Sequence, residues 1–387
     1  MEARSRFDAI VIGVGGMGSA AVYHLARRGW SVLGLERFDI PHEMGSSHGV
    51  TRIIRLAYYE DPSYVPLLRR AYELWRELEW ESGERLLHIT GSIDAGPPES
   101  LVFAGSVESC RVHGLPYEVL TAGDVNRRFP GYRLPGSAMA LLQPDGGFLL
   151  PERCIVGHVV AAQRLGAEVH ARERVLGWEP DGDGVAVTTD RGRYGADRLV
   201  VCAGAWTGGL VPELSALAVP ERQVLAWLQP RRPELFQPGR FPVFNLLVDE
   251  GRFYGLPVFG VPGLKIGRYH HLGEETDPDT VERGPTSRDE RVLRSFVERY
   301  FPQGAGPTMA LKVCLFTNSP DEHFIIDQLP GSLVVAAGFS GHGYKFCSVV
   351  GEILADLCIE GSTRHDINLF RFERFGKRTA GVHPARA

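Results

Sequence analysis

The sequence predicts an α/β protein in which a Rossmann-like dinucleotide-binding domain carries an inserted, mainly antiparallel β-sheet domain. Three observations predict this fold. An apolar run at residues 7–12 leads into a glycine-rich turn and then a helix start. Later apolar runs at 199–203 and 333–337 also end at glycines, which is typical of buried parallel strands. Residues 219–313 are instead rich in proline, phenylalanine, glycine and short β runs, which favours an antiparallel sheet.

The first βαβ unit carries the fingerprint of a nucleotide site. The turn at residues 13–18 reads GVGGMG, and Glu36 stands at the end of the second strand. Gly13 permits the tight turn, Gly15 lets the backbone approach a pyrophosphate, and Gly18 lets the helix pack on the strand. The helix N-terminus then offers free N–H groups to the phosphates, and Glu36 can accept hydrogen bonds from a ribose. The motif predicts a dinucleotide but does not choose between NAD and FAD.

The next elements follow from periodicity. Residues 64–78 have apolar side chains at helical spacing, and Ser63 is in position to cap that helix. Residues 151–165 predict another helix. A strand at 185–189 enters a hairpin whose turn is at 190–192.

The last strand leads through GFSGHG at 338–343 into a helix at 344–359, which ends at Gly361. The N-terminus of that helix would direct a second positive dipole at the cofactor. We therefore predict a cofactor domain made of residues 1–86, 147–217 and 320–387. The substrate domain is predicted to consist of residues 87–146 and 218–319.

Composition excludes several classes of protein. The net charge of −5 provides no basic surface for nucleic acid or an anionic membrane. No run approaches the ~20 apolar residues that span a bilayer, and no export signal is visible, so we expect a cytoplasmic protein. The six cysteines show neither a CxxC pair nor zinc-ligand spacing, so no metal site is predicted.

Lysine is scarce. Only four of the 42 basic residues are lysines, namely Lys265, Lys312, Lys345 and Lys377. Where arginine is the usual surface cation, a lysine is expected where a compact charge or a change of protonation is needed.

Six further motifs, in order, resemble the family of monomeric sarcosine oxidase and N-methyltryptophan oxidase. They are TRIIR at 51–55, YGLP at 254–257, GLK at 263–265, KVC at 312–314, DEHFIID at 321–327 and GFSGHGYK at 338–345. The resemblance runs from about residue 7 to residue 375. It implies a glutathione-reductase-like FAD-binding domain and a monomeric flavoprotein amine oxidase. In such enzymes FAD is linked through a cysteine sulfur, a carbon–nitrogen bond is oxidised to an imine, and O₂ is reduced to H₂O₂.

The resemblance also implies which residues contact the flavin. Cys314 matches the flavin-linking cysteine, and Lys312 and Arg52 are expected to favour its thiolate. Thr51 and Arg52 match residues that lie against the ring, and His48 matches a histidine near it. Lys345 matches a residue at both the cofactor and the substrate. Gly341 and Gly343 are expected at the cofactor, while His342 is expected to be mainly structural.

A third set of residues is implied to act on the substrate. Arg55 and Lys345 match the pair that holds the substrate carboxylate, which would leave the amine over the flavin. Lys265 matches the lysine that activates O₂ beside the flavin. Tyr254 and His270 match polar groups around the amine.

Three parts of the sequence depart from the family pattern. Arg268 adds one residue before Tyr269, so Tyr269 or His271 could take the place assigned to His270. Tyr58 and Glu60 lie in the segment that resembles a mobile lid, where Tyr59 and Asp61 replace glycines. The segment Phe244-Asn245-Leu246 stands where the family has a methionine-containing pocket wall, which leaves the preferred side chain of the substrate open.

These residues lead to one main hypothesis and three rivals. The main hypothesis is oxidation of an N-methyl amino acid such as sarcosine, to glycine and formaldehyde in that case. The rivals are an oxidase of a cyclic or bulky secondary amine such as pipecolate or N-methyltryptophan, an NAD(P)-dependent dehydrogenase, and a non-catalytic FAD- or metabolite-binding module. The carboxylate-binding cations and Lys265 argue against the last.

Overall fold

The computed structural model describes residues 6–376. The helices of this part are α1 (Gly16–Arg27), α2 (Val65–Ser82), α3 (Ser106–His113), α4 (Ala122–Arg128), α5 (Pro151–Arg164), α6 (Thr207–Leu210), α7 (Ser287–Tyr300) and α8 (Cys347–Glu360). The strands are β1 (Arg6–Ile12), β2 (Val32–Leu35), β3 (Arg52–Ile54), β4 (Leu87–Ile89), β5 (Ser92–Gly96), β6 (Glu118–Thr121), β7 (Met139–Gln143), β8 (Gly147–Leu149), β9 (Glu168–His170), β10 (Val175–Asp181), β11 (Gly184–Thr189), β12 (Arg193–Val201), β13 (Val219–Leu228), β14 (Val243–Val248), β15 (Gly251–Leu256), β16 (Leu264–Arg268), β17 (Thr308–Asn318), β18 (Ile325–Leu329) and β19 (Leu333–Ala337).

The first sheet has a parallel centre. Strand β1 pairs in parallel with β2 and β12, and β12 pairs in parallel with β19. Strands β10, β11 and β18 extend this sheet by antiparallel pairing. Helices α1, α5, α2 and α8 pack together in the adjoining core. Because the central strands are parallel, their carboxyl ends meet at one edge of the sheet, where a doubly wound fold binds its ligand.

The second sheet has the order β17-β13-β16-β15-β14-β5-β7-β6. Its neighbours are antiparallel except β14 and β5. A small sheet of β3, β8 and β4 is the third. The predicted fold class is therefore confirmed, whereas the predicted domain boundaries stay a prediction.

Two local predictions need correction. Helix α2 begins at Val65 after a 3₁₀ turn at Pro62–Tyr64, and the capping residue of that turn is Asp61, whose carboxylate accepts a 2.8 Å hydrogen bond from the Ser63 backbone N–H. Ser63 is therefore the donor of the capping bond. The last helix also begins with a 3₁₀ turn, at Tyr344–Phe346, before α8.

Across residues 6–376, the helices are too short or too polar for any of them to cross a membrane. In the same residues, no group of three or more His, Cys, Asp or Glu side chains is arranged to hold a metal ion.

Candidate active site

A long cavity runs along the carboxyl-end edge of the first sheet and reaches the face of the second. Its wall includes residues that follow β1, β2, β12 and β19, such as Gly13, Glu36, Cys202 and Gly338. At the other end it is lined by β17 and by the β15 and β16 region. The cavity therefore joins a nucleotide-type edge to a set of polar and aromatic side chains.

The nucleotide end fits a dinucleotide. A Cβ added at Gly13 would lie 2.6 Å from a backbone oxygen of Cys202, and one at Gly18 would lie 1.7 Å from the Gly13 oxygen. Both positions therefore require glycine. At Gly15 the same test meets no described atom within 4 Å, so the backbone there faces open space. Gly15 is also the N-cap of α1 and has no side chain to cover the first N–H groups, which leaves them to an anion.

Glu36 closes this end of the cavity. Its carboxylate accepts hydrogen bonds of 2.9 Å from the Val14 N–H and 3.0 Å from the Phe38 N–H. These bonds hold the side chain at the end of β2 with oxygen lone pairs left to accept from hydroxyl groups. The arrangement fits the predicted ribose contact.

The second glycine loop lies against the opposite part of the cavity. Gly341 has φ of +78°, and a Cβ there would lie 2.3 Å from the Phe316 ring. Gly343 packs equally closely on Phe339. Both glycines line the cavity together with Tyr344, so the loop brings backbone close to whatever ligand the cavity holds.

Cys314 lies on β17 in the cavity wall. Its Sγ is 3.6 Å from Arg52 Nη2, and Arg52 donates to the Ser46 carbonyl at 2.7 Å. The prediction for Lys312 needs correction, because its side chain is exposed and its ammonium pairs with Glu43 at 2.5 Å. Arg52 is therefore the cation beside the sulfur.

Lys265 is buried behind the loop that precedes β3. Its Nζ donates to the carbonyls of Gly49 at 2.7 Å and Thr51 at 2.5 Å. Burial, and then the nearby Arg52 charge, lower the pKa of this ammonium well below its usual value. Thr51 lines the cavity, whereas Lys265 is not among the lining residues.

The two cations predicted to hold a carboxylate are both buried but are placed differently. Lys345 lines the cavity, and its Nζ donates to the His342 carbonyl at 2.6 Å. Arg55 is not among the lining residues. Its Nη2 pairs with both oxygens of Glu60, at 2.9 and 2.7 Å, and Nη1 donates to the Ala57 carbonyl.

Electrostatics differ between these cations as well. Burial and the Arg55 charge lower the pKa of Lys345 to about 7. Burial would raise the pKa of Glu60, but the Arg55 charge outweighs it and lowers the value to about 2. Arg55 is thus held by an ionised carboxylate, while Lys345 has a carbonyl partner that does not cancel its charge.

The structure places Tyr269, and not His270, on the cavity wall. The Tyr254 and Tyr269 rings meet edge to face at 5.3 Å between centroids. His270 has φ of +53° and turns away, with Nδ1 3.1 Å from Glu221 and Nε2 3.1 Å from Glu322. Burial alone would lower the pKa of His270, but the hydrogen bonds to Glu221 and Glu322 outweigh it and raise the pKa to about 9.

His271 is also directed elsewhere. Its Nε2 lies 2.8 Å from Asp289, which is paired with Arg222. Neither His270 nor His271 therefore lies on the cavity wall.

Tyr58 and His48 lie behind the wall. The Tyr58 hydroxyl is 2.5 Å from Nδ1 of His342, which itself lines the cavity. His48 is completely buried, and neither ring nitrogen has a hydrogen-bond partner among the described residues. Such a histidine next to a ligand cavity is consistent with a missing polar partner.

Sequence reasoning missed a polar network beneath Arg55. Asn245 donates to Asp94 at 2.7 Å, and the Tyr59 hydroxyl donates to Asn245 at 3.4 Å. An Asp94 oxygen lies 3.9 Å from Arg55 Nε. Burial raises the pKa of Asp94 to about 6. The only signal in the sequence was an acidic residue within an otherwise apolar strand.

Comparisons with known proteins agree with this geometry. The family model described as FAD dependent oxidoreductase matches residues 8–357. The monomeric sarcosine oxidase of Streptomyces avermitilis is 42% identical over 371 residues, covering 94% of this chain and 96% of the relative. The N-methyl-L-tryptophan oxidase of Salmonella arizonae is 36% identical over 378 residues, covering 96% and 100%.

A solved structure is similar over the same extent. NikD, an unusual amino acid oxidase essential for nikkomycin biosynthesis, superposes with a TM-score of 0.82 at 28% identity and covers 99% of this chain and 100% of its own. These findings confirm the resemblance stated from the motifs. They also confirm that the protein is an FAD-dependent oxidoreductase of the amine oxidase type.

Proposed function

We propose that this chain, which belongs to the FAD dependent oxidoreductase family, oxidises the carbon–nitrogen bond of an N-methyl amino acid such as sarcosine. Water would hydrolyse the imine to the amino acid and formaldehyde, and O₂ would be reduced to H₂O₂. The observation that carries the proposal is the pair of buried cations, Arg55 and Lys345, next to a cavity that also holds Cys314 and Arg52. When bound, FAD accepts two electrons from the substrate and passes them to O₂.

Lys345 and Arg55 would bind the substrate carboxylate. Lys345 already lies on the cavity wall. Its Nζ donates to the His342 carbonyl and has further N–H groups that can donate to an anion in the cavity. Arg55 becomes available only when Glu60 leaves its guanidinium. A charge-assisted, two-cation contact would fix the carboxylate and thereby orient the reacting carbon.

Tyr254 and Tyr269 would surround the amine. Burial raises the pKa of both phenols, so each hydroxyl remains protonated at neutral pH and can donate a hydrogen bond. An amine that accepts such a bond is held as the neutral base. We place Tyr269, rather than His270, in this role because Tyr269 lines the cavity.

Lys265 would supply positive charge where O₂ is reduced. Two backbone carbonyls hold its Nζ, and these neutral groups orient the ammonium without cancelling it. A fixed cation stabilises negative charge that develops on oxygen.

Several residues fit FAD. Gly13, Gly15, Gly18 and the N-terminus of α1 would hold the pyrophosphate, and Glu36 would hold the ribose. Thr51, Arg52, His48, Gly341, Gly343 and Lys345 would lie near the ring. We further propose that Cys314 forms a covalent thioether to FAD, which is supported by its place in the wall and by Arg52 3.6 Å from its sulfur.

The test of the linkage is direct. The purified protein should be yellow, and acid precipitation should leave the colour in the pellet. Cys314→Ser should release the colour into the supernatant, whereas Cys358→Ser, a buried cysteine of α8, should not. A colourless wild-type pellet would refute the covalent link.

The test of the substrate is a panel assay for H₂O₂. Sarcosine, N-methylalanine, pipecolate and N-methyltryptophan would be compared. Rapid turnover of sarcosine supports the main proposal. Turnover confined to pipecolate or N-methyltryptophan would instead support an oxidase of cyclic or bulky amines, the activity named for the Salmonella relative being one of these.

We also propose that the enzyme acts as a monomer, and the name of the Streptomyces relative, monomeric sarcosine oxidase, supports this. Its partners would be small molecules and O₂. The cytoplasmic location stays a prediction of the sequence.

A further inference from the structure

We propose that Arg252 is a specificity-determining residue that makes the site favour a neutral amine over a cationic one. The inference rests on the proposed function, because it concerns the amine of that substrate. The guanidinium carbon of Arg252 lies 3.8 Å from the centroid of the Tyr269 ring. Tyr269 lines the cavity and Arg252 does not. The ring therefore separates a permanent positive charge from the ligand space.

The ring is held firmly in this position. The Tyr269 N–H donates to the Arg252 carbonyl at 2.8 Å. Tyr254 meets the ring edge to face at 5.3 Å, and Phe316 lies 6.0 Å away. Arg252 and Tyr254 are two residues apart on β15, so their side chains leave the same face of the strand. The guanidinium and the two phenols thus form one layer.

Two carboxylates act on Arg252, those of Glu322 and Glu60, and each is shared with another cation, since Glu60 is paired with Arg55. Glu322 pairs with Arg252 at 3.5 Å, but the Glu322 side chain is 42% exposed and Arg252 only 15%. Glu322 is also shared with the His270 cation at 3.1 Å. The remaining titratable or charged groups that face this region are Tyr59, Tyr269, Glu60, Arg55, His342 and Lys345.

An aromatic ring attracts a cation to its face because the face is electron-rich. When a guanidinium already occupies one face, a second cation at the opposite face is repelled by it. A ligand cation would sit ~4–6 Å from the centroid, so the two charges would be roughly 8–10 Å apart. At an effective dielectric constant of about 20, this repulsion weakens binding of a cation by about twentyfold.

The same repulsion favours loss of the amine proton to solvent on binding. A neutral nitrogen has the lone pair that supports removal of electrons from its carbon. Arg252 therefore acts on the protonation state of the substrate and does not need to touch it.

Ligand binding tests the inference. Calorimetry measures the Kd of two carboxylates, betaine, which carries a permanent cation, and (methylthio)acetate, which has neutral sulfur in place of the amine. In Arg252→Gln, betaine should bind about twentyfold more tightly relative to (methylthio)acetate. Arg252→Lys keeps a cation and should show a smaller change. Arg374→Gln is the matched control, because Arg374 stacks on Phe375 at 4.1 Å and neither residue lines the cavity.

A second variant tests the opposite direction. Glu322→Gln removes the anion that pairs with Arg252, so betaine should bind less tightly relative to (methylthio)acetate. If Arg252→Gln does not fold, this variant alone decides the question. Equal changes for both ligands in either variant would overturn the inference.

A third reading uses N,N-dimethylglycine, whose amine can titrate. The pH dependence of its Kd should report a bound-amine pKa about one unit higher in Arg252→Gln than in the wild type. If betaine binds neither protein, an unchanged pH dependence overturns the inference and a shift supports it. None of these readings needs turnover, so failure to oxidise sarcosine would refute the proposed function without affecting this test.

Discussion

Binding of a carboxylate should draw a proton onto Lys345. The free enzyme holds this side chain in the cavity wall with a carbonyl of His342 as its partner, and burial lowers its pKa from 10.5 to about 7. A bound carboxylate would stabilise the ammonium form and raise the pKa again. The proton would come from solvent, because Lys345 is largely neutral above pH 7 in the free enzyme.

The size of the effect follows from these values. If the bound pKa returns to its ordinary range, uptake is about 0.1 proton at pH 6, about 0.5 at pH 7 and about 0.9 at pH 8. The Kd should therefore rise by about fivefold from pH 7 to 8 and by about tenfold for each further pH unit. Glu60 and His342 do not titrate in this window, since their pKa values are about 2 and about 4. Asp94, with a pKa of about 6, titrates at its lower end, so the measurements at pH 7 and 8 decide the test.

The assay is calorimetry with (methylthio)acetate in buffers of different ionisation enthalpy, at pH 6, 7 and 8. The slope of observed enthalpy against buffer enthalpy gives the number of protons taken up. Lys345→Met should abolish the uptake and flatten the pH dependence of Kd. Uptake near zero at pH 8 in the wild type would refute the reasoning, as would equal uptake in Lys345→Met.

Three further predictions follow from other contacts. Glu60→Gln should lower the Kd of (methylthio)acetate by about tenfold, because the charge that competes for Arg55 is removed; unchanged or weaker binding would contradict this. Gly18→Ala should abolish FAD binding or soluble expression, since its Cβ would lie 1.7 Å from a backbone oxygen. The control is Gly177→Ala, whose Cβ would meet no described atom within 4 Å and which should leave the absorbance of the bound flavin unchanged. Burial lowers the pKa of His158 to about 3, so the unfolded chain binds the proton first as pH falls below about 6.5 and stability falls by about 2 kcal/mol at pH 5. His158→Leu should reduce that slope in thermal unfolding against pH, and an unchanged slope would argue against a buried neutral histidine.

The nucleotide end could be predicted from the sequence because its constraints are local. The distances between Gly13, Gly15 and Gly18 are fixed by one turn of backbone, and Glu36 is fixed by the length of one βαβ unit. The structure finds a backbone clash at Gly13 and Gly18 and open space at Gly15. A motif whose residues are close together in the sequence therefore predicts their arrangement in the structure.

The choice between Tyr269 and His270 depended on register, and a family motif no longer gives the register after an added residue. The alternation of side chains along the strand still gives it. Lys265, Gly267 and Tyr269 are spaced by two along β16 and its continuation, so they share a face, whereas His270 has the opposite parity. Counting along the strand would have favoured Tyr269. On the opposite side, Nδ1 of His270 lies 3.1 Å from a carboxylate oxygen of Glu221.

The pairing of Arg55 with Glu60 could not be predicted in this way. Both residues were assigned to the substrate region, but they lie five apart in a segment without regular structure around 57–61. Helical or strand periodicity therefore cannot predict which side chains are neighbours in that segment. Similarly, Asp94 and Asn245 come together only because β5 pairs with β14 in the second sheet, which places the two residues opposite each other.

The partners of the buried cations explain how the site can be both charged and selective. Lys265, Lys345 and Arg52 are held by backbone carbonyls, which orient a cation but leave its charge available. Of these four cations, Arg55 alone is paired with a carboxylate, that of Glu60. Arg52 would maintain a positive potential in the cavity, and Lys345 would add to it when it gains a proton on binding of an anion. Arg55 would add its charge only to a ligand whose carboxylate displaces Glu60, so an anion without the reach to do this would be attracted to the site but held by Lys345 alone.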